Sequence, residues 1–361
     1  MRLLDLLHRW VGGLVGLLLA MMGLTGALLV HKDAWVRLPY AGDARVTDVT
    51  TLAEATQRMM SDPAGTQSIL YAGDSFGLNR LSFAGDAGAY ADQAGGVVTR
   101  WASQWERPEL WIFDLHHHLF TGHTGETALG VAALCGLFFV ISGIILWWRT
   151  RKTFAFRLWP ARLTRPSIVR HHRDLGIVMA PLLLLSLFTG ATFVFRPLAG
   201  VALGPGTEAA LKGFSGAPAY KDAALAPDFD WRALIRTAHE RFPEADLRIV
   251  SAPRGEHGLV TVRMRQPEEW LPNGRTMLWF AADTGALVGS RDFRAAPTQV
   301  VLYNRLYPLH AAKVGGLPYR LVMTLSGLTL GMLGTLAVWT FWFKRPRPRA
   351  RPRRMPVVAA E

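Results

Sequence analysis

The sequence predicts a mainly α membrane protein: a four-helix transmembrane bundle with two outward-facing α+β modules, internally duplicated. Three observations predict it. Four apolar runs stand out, near 11–30, 127–148, 176–195 and 321–343. Each matches the roughly 20 residues a helix needs to cross a ~30 Å hydrocarbon core. Two blocks of mixed charge, 32–115 and 196–309, separate them, and each has the size of a small domain. Finally, the second half of the chain repeats landmarks of the first.

The division that follows from this is a transmembrane helix over 1–31, a module over 32–115, a helix over 116–149 and a basic loop over 150–170. The pattern then recurs as a helix over 171–196, a module over 197–309, a helix over 310–343 and a basic tail over 344–361. The first run is expected to stay as a membrane helix. It is longer than the usual apolar core of a signal peptide, and His31-Lys32-Asp33 follows it where a small-x-small cleavage site would stand.

The net charge of +13 is unevenly placed. No acid occurs from Arg149 to Arg173, a stretch rich in arginine, and the tail from Lys344 to Arg354 is basic. The positive-inside rule then puts both termini and the middle loop in the cytoplasm. Both modules face outward, into a periplasm if the membrane is a bacterial inner membrane. The basic excess is the charge that topology requires, so nucleic acid is excluded as the partner; membrane lipid is the expected surrounding. The single cysteine, Cys135, lies in the second run, so the modules carry no disulfide.

The repeats are specific. His8-Arg9-Trp10-Val11-Gly12 leads to Thr25-Gly26, and His172-Arg173-Asp174-Leu175-Gly176 leads to Thr189-Gly190, with 17 residues from histidine to threonine in both. Runs two and four match more loosely: Gly136, Gly143 and Trp148 correspond to Gly327, Gly334 and Trp339. Their approaches, Asp114-Leu115-His116 and Pro308-Leu309-His310, also agree. In the modules, 51–60 and 231–241 read as amphipathic helices. Around Asp92-Gln93-Ala94-Gly95 and Asp283-Thr284-Gly285 the pattern is strand, turn, strand. Further strands are expected near 246–251 and 258–265.

Of 11 histidines, only His239 and His257 lie far from the edge of an apolar run. Imidazole near lipid usually faces the bundle interior and has a job there. Histidines on several helices, at both membrane faces, suggest haem ligation across the bundle. With no Cys-x-x-Cys-His, any haem is held non-covalently.

These residues resemble the PepSY-associated transmembrane proteins over nearly the whole chain. The resemblance rests on His-Arg-Trp-x-Gly…Leu-Thr-Gly in the first run, Asp-Leu-His before the second, Leu-His before the fourth, and Asp-Thr-Gly-Ala-Leu. It is closest to inner-membrane ferric-siderophore reductases, and it implies two b-type haems in a four-helix bundle. Some relatives add a reductase-like cytoplasmic domain. This chain has none, so a separate cytoplasmic or quinol electron donor is expected.

A bis-histidine haem needs two neutral imidazoles at one depth on facing helices. On the cytoplasmic side these are His8 and His172, with His171 a rival about 100° around the helix. On the periplasmic side they are His116 and His310, with His117, His118, His123 and His31 as rivals. His116 and His123 would share a face if one helix carried both. The alternatives are interfacial histidines without a ligand, and a surface copper, zinc or nickel site in the histidine cluster. Gly12, Gly13, Gly16, Gly23 and Gly26 suit either helix packing or close approach of a porphyrin. Trp101 and Trp105 either floor an outer substrate site or dock the module onto the membrane.

The expected function is reduction of a ferric siderophore or other ferric chelate at the periplasmic face, by electrons carried across the membrane. Two haems are expected because the core is too thick for one efficient electron-tunnelling step. Reduction releases iron because hard oxygen chelators hold Fe(III) better than Fe(II). The competing expectations are a non-enzymatic PepSY membrane regulator and a metal-uptake accessory protein.

Overall fold

The computed structural model describes residues 2–253 and 258–343. His257 and the basic tail from Lys344 lie outside the described residues. Eleven α-helices and eight strands occur among those described: α1 (Arg2–Val30), α2 (Lys32–Trp35), α3 (Val49–Met60), β1 (Ser68–Leu70), β2 (Asn79–Ser82), β3 (Gly88–Ala91), β4 (Val97–Trp101), α4 (Pro108–His118), α5 (His123–Trp148), α6 (Arg165–Val194), α7 (Pro197–Leu203), α8 (Thr207–Ser215), α9 (Trp231–Arg241), β5 (Asp246–Ser251), β6 (Leu259–Arg265), β7 (Thr276–Ala281), β8 (Leu287–Arg291), α10 (Thr298–His310) and α11 (Gly316–Trp342).

The helices α1, α5, α6 and α11 are long and apolar enough to cross a membrane. Two of them begin earlier than the apolar runs suggest, so His8 and His172 sit inside helices rather than ahead of them. α1 packs along α11, α5 along α6, and the ring closes through α1 on α5 and α11 on α6. α1 and α6 therefore face each other across the bundle, as do α5 and α11. Leu19, Leu175, Met179, Leu183, Leu187 and Leu333 fill the middle.

Glycines set the tightest seam. A Cβ on Gly23 would meet the Gly327 carbonyl oxygen at 2.5 Å, and one on Gly327 would meet that of Gly23 at 2.5 Å. Gly16 and Gly334 oppose each other in the same way about two turns along the seam. Small residues let two helix backbones touch, which in lipid is a principal source of association.

The soluble blocks differ from the expectation of two separate modules. Their strands form one antiparallel sheet in the order β4-β3-β2-β1-β5-β6-β7-β8. The join is β1 against β5, with Ile69 opposite Val250. Helices α3 and α9 lie against each other on this sheet. Ala53 and Met59 of α3, Trp231 and Ile235 of α9, and Ile69, Val250, Val262 and Phe280 of the strands share one core. Pairing β1 with β5 removes what would be an exposed edge on each half. The expected strand–turn–strand units are present, and Gly95 and Gly285 take positive φ at the turns (88° and 71°).

Two helices break where the sequence suggested continuity. α4 ends at His118, and Leu119 and Phe120 take left-handed backbone (φ 49° and 60°) before α5 starts at His123. α10 ends at His310, and Ala312 does the same (φ 49°) before α11. Left-handed backbone is costly for such residues and persists only where packing enforces it. Because of the first break, His116 and His123 do not share a helix face. α4 leans on α1, and α10 on α6.

Candidate functional site

Two histidine pairs lie at opposite ends of the bundle. At the end bearing the 149–164 loop, the rings of His8 on α1 and His172 on α6 have centroids 6.2 Å apart and planes at 90°. At the end nearest the sheet, His116 on α4 and His310 on α10 have centroids 6.4 Å apart and planes at 49°. A transition metal binds imidazole nitrogen at about 2.0–2.1 Å, so two imidazoles on opposite sides of one iron place their centroids roughly 6.3 Å apart. Both pairs fit that spacing. The angle between ring planes is free, because each ring can rotate about its metal–nitrogen bond. Seventeen residues separate His8 from Thr25, the residue that touches His116. At 1.5 Å per residue the pairs are about 25 Å apart along the bundle.

Each ring is seated on a neighbouring helix. The Nδ1 of His116 is 2.8 Å from Thr25 Oγ1, and a Cβ on Gly26 would lie 3.2 Å from its Cε1. His310 Nδ1 is 2.8 Å from Thr189 Oγ1, with Gly190 3.5 Å from its Cε1 on the same construction. The repeated Thr-Gly thus has a physical reading: the hydroxyl meets the ring nitrogen, and the missing side chain admits the ring. His8 has the same seat on α5, its Nδ1 2.7 Å from Ser142 Oγ and Gly143 beside its Cε1 at 3.8 Å. Sequence reasoning missed Ser142. The signal available was the Ser-Gly dyad, chemically alike to Thr-Gly. His172 meets the backbone of Leu333, in the dyad Leu333-Gly334, where no hydroxyl exists.

The His8–His172 pair lines a cavity of about 830 Å³, together with Gly12, Gly143 and Gly176. Nothing lies within 4 Å of a Cβ built on Gly12 or Gly176. The glycines of α1 play different parts: Gly12 opens onto the cavity, Gly26 backs His116, Gly13 and Gly23 pack against α11, and Gly16 both packs against α11 and lines the cavity. The cavity lining also carries Arg2, Arg9, Arg149 and Arg165, with Arg173, which is held by Asp174, and one acid, Asp5. This donor set fits a planar, acid-bearing group held by two imidazoles.

Among the described residues, four of the rival histidines hold other polar partners, and His117 does not. His171 Nε2 donates to the Leu158 carbonyl at 3.0 Å, fastening the basic loop to α6. His117 stacks on Phe113 at 4.2 Å, a contact that leaves both ring nitrogens free, and its centroid lies 5.9 Å from that of His116. His118 Nδ1 pairs with Asp114 at 2.9 Å, and His123 Nδ1 with Glu126 at 3.1 Å. His31 Nε2 reaches Thr324 Oγ1 at 2.7 Å, a strut from the junction of α1 and α2 to α11. Among the described residues no group of three or more His, Cys, Asp or Glu is placed to hold a metal ion.

Trp101, one of the two tryptophans weighed as a substrate floor, is packed inside the module. It is 5% exposed, its Nε1 donates to the Asp86 carbonyl at 3.0 Å, and it packs on Tyr90, leaving no free face. Trp105 is 59% exposed, with its ring against Phe120 at the α4–α5 break. A polar network ties the bundle to the sheet. Asp33 accepts from Ser75 Oγ at 2.6 Å and pairs with Lys313 Nζ at 3.2 Å. Burial pushes the Asp33 carboxyl up, but Lys313 and Ser75 outweigh it and hold it below the usual carboxylate range.

The family description of the PepSY-associated TM region matches residues 6–345, which takes in all four long helices and the whole sheet. The chain belongs to the PepSY-associated transmembrane family. It is thus a multi-pass membrane protein of that family. No curated protein matches it.

Proposed function

We propose that this PepSY-associated membrane protein is a di-haem cytochrome b that passes electrons across a bacterial inner membrane and reduces a ferric chelate, a ferric siderophore being the expected one, at the sheet-bearing face. The observation that carries the reading is the two imidazole pairs at bis-histidine spacing, 6.2 and 6.4 Å, at opposite ends of one bundle. When bound, b-type haems supply reversible one-electron transfer. His8 and His172 would hold the haem at the loop end, and His116 and His310 the one at the sheet end. Gly12 and Gly176 leave room for a flat macrocycle, and the arginines of the cavity lining would meet its carboxylates. Leu19, Leu183, Leu187 and Leu333 of the bundle core give the inner part of that cavity an apolar lining. The donor is a separate cytoplasmic or quinol reductant, and the two halves are read as a duplication with both termini cytoplasmic.

An absorption spectrum of the purified protein, oxidised and dithionite-reduced, tests this directly. A Soret band with two non-covalent haems per chain is expected, followed by reoxidation on adding a ferric hydroxamate. A colourless protein removes the reading in favour of a regulator. Reoxidation by quinone but not by any ferric chelate makes it a respiratory cytochrome. For topology, a reporter active only outside the cytoplasm should give signal when fused after Ala219 and none after Ala161; the opposite result reverses the two faces.

A further inference from the structure

We propose that Thr25, Thr189 and Ser142 are positioning residues that lock the tautomer of His116, His310 and His8, holding the proton on Nδ1 and leaving Nε2 bare. The argument is an accounting of protons. A hydroxyl has one hydrogen and two lone pairs. Thr25 Oγ1 spends its hydrogen on the Met21 carbonyl at 2.8 Å, one turn back in its own helix. Thr189 Oγ1 spends its own on the Leu185 carbonyl at 2.7 Å, and Ser142 Oγ on the Phe138 carbonyl at 2.6 Å. Each oxygen can therefore only accept from the imidazole it touches. At 2.7–2.8 Å an unprotonated Nδ1 would set lone pair against lone pair, so Nδ1 carries the hydrogen. A neutral imidazole has one such hydrogen, and Nε2 is left as the only basic nitrogen.

The same dyad recurs on three helices, which separates a lock from chance contact. In each seat the hydroxyl fixes the proton and the following glycine lets the ring lie against the helix. The fourth seat, Leu333-Gly334, offers His172 backbone alone. The carbonyl there can only accept as well, so what sets the fourth seat apart is that no side-chain substitution can remove its acceptor. The consequence for a metal rests on the di-haem reading: a bare Nε2 is the ligand atom, and a hydrogen bond from Nδ1 raises its basicity and fixes the ring's aim.

The test uses the full-length protein as purified, with Thr25→Val, Thr189→Val and Ser142→Ala. Valine keeps the shape of threonine and removes the acceptor. Thr25→Ser is the rescue control, retaining the hydroxyl. Two readouts are followed, the midpoint potential of each haem and its transfer to an excess of apomyoglobin. The lock predicts that Thr25→Val and Thr189→Val loosen the sheet-end haem by about 10–100-fold and raise its potential, because a less basic ligand favours Fe(III) less. Ser142→Ala should do this to the loop-end haem alone, and Thr25→Ser should behave as wild type. Wild-type potentials and retention in all three variants would overturn the proposal. If the wild-type chain shows no Soret band, the di-haem reading fails and the lock is judged separately by histidine ¹⁵N NMR. Three histidines protonated at Nδ1, each losing that signature in its own variant, would uphold it. Mixed tautomers at those sites would overturn it.

Discussion

His116→Ala and His310→Ala should each cut the haem content from two per chain to one and abolish reduction of a ferric hydroxamate by the dithionite-reduced protein. On the proposed assignment each would remove a nitrogen that holds the iron, so the loss should exceed the roughly 10–100-fold that follows removal of an outer-shell partner. The spectrum of the loop-end haem should survive, because its ligands lie about 25 Å away along the bundle. His8→Ala and His172→Ala should show the converse loss. The informative controls are the rivals. His117 is stacked on Phe113, and His171 is bonded to the Leu158 carbonyl. Neither His117→Ala nor His171→Ala should change the pyridine haemochrome stoichiometry. If His117→Ala lost a haem and His116→Ala kept both, the ligand assignment would be wrong even with the function right.

Much of the bundle was legible because lipid imposes a simple demand, about 20 apolar residues per crossing. The module turns were legible because Gly95 and Gly285 supply the positive φ that a tight turn needs. What stayed hidden was non-local. Nothing in 68–70 or 246–251 announces that these strands will pair with each other rather than remain edges. The breaks at Leu119–Phe120 and Ala312 were hidden for the opposite reason, since they put ordinary residues into left-handed backbone that their side chains do not favour. The histidine pairs could be read from matched spacing, but choosing His172 over His171, or His116 over its neighbours, needs helix phase. That phase depends on where each helix starts and stops. Ser142 was hidden because one serine in an apolar run reads as a small packing residue until an imidazole is found beside it.

The glycines of α1 yield the sharpest separation of packing from site. Gly23→Leu should weaken the whole bundle, because even its Cβ would lie 2.5 Å from the Gly327 carbonyl oxygen, and backbone cannot swing aside as a side chain can. Overpacking of this kind typically costs about 1–3 kcal/mol. Here the displaced segment also carries Thr25 two residues on, so the α1–α11 seam and the seat of His116 should fail together. The expected result is a lower melting temperature in detergent and loss of the sheet-end haem first. Gly12→Leu should do the reverse. Nothing lies within 4 Å of a Cβ at Gly12, so the helices should stay together and the melting temperature of haem-free protein should hold. The added isobutyl group would project into the cavity shared by His8 and His172, and the loop-end haem should be lost while the sheet-end haem remains. If Gly12→Leu protein kept both haems, that cavity would not be where the loop-end group sits. If Gly23→Leu melted like wild type, the α1–α11 seam would not be the contact that holds the bundle.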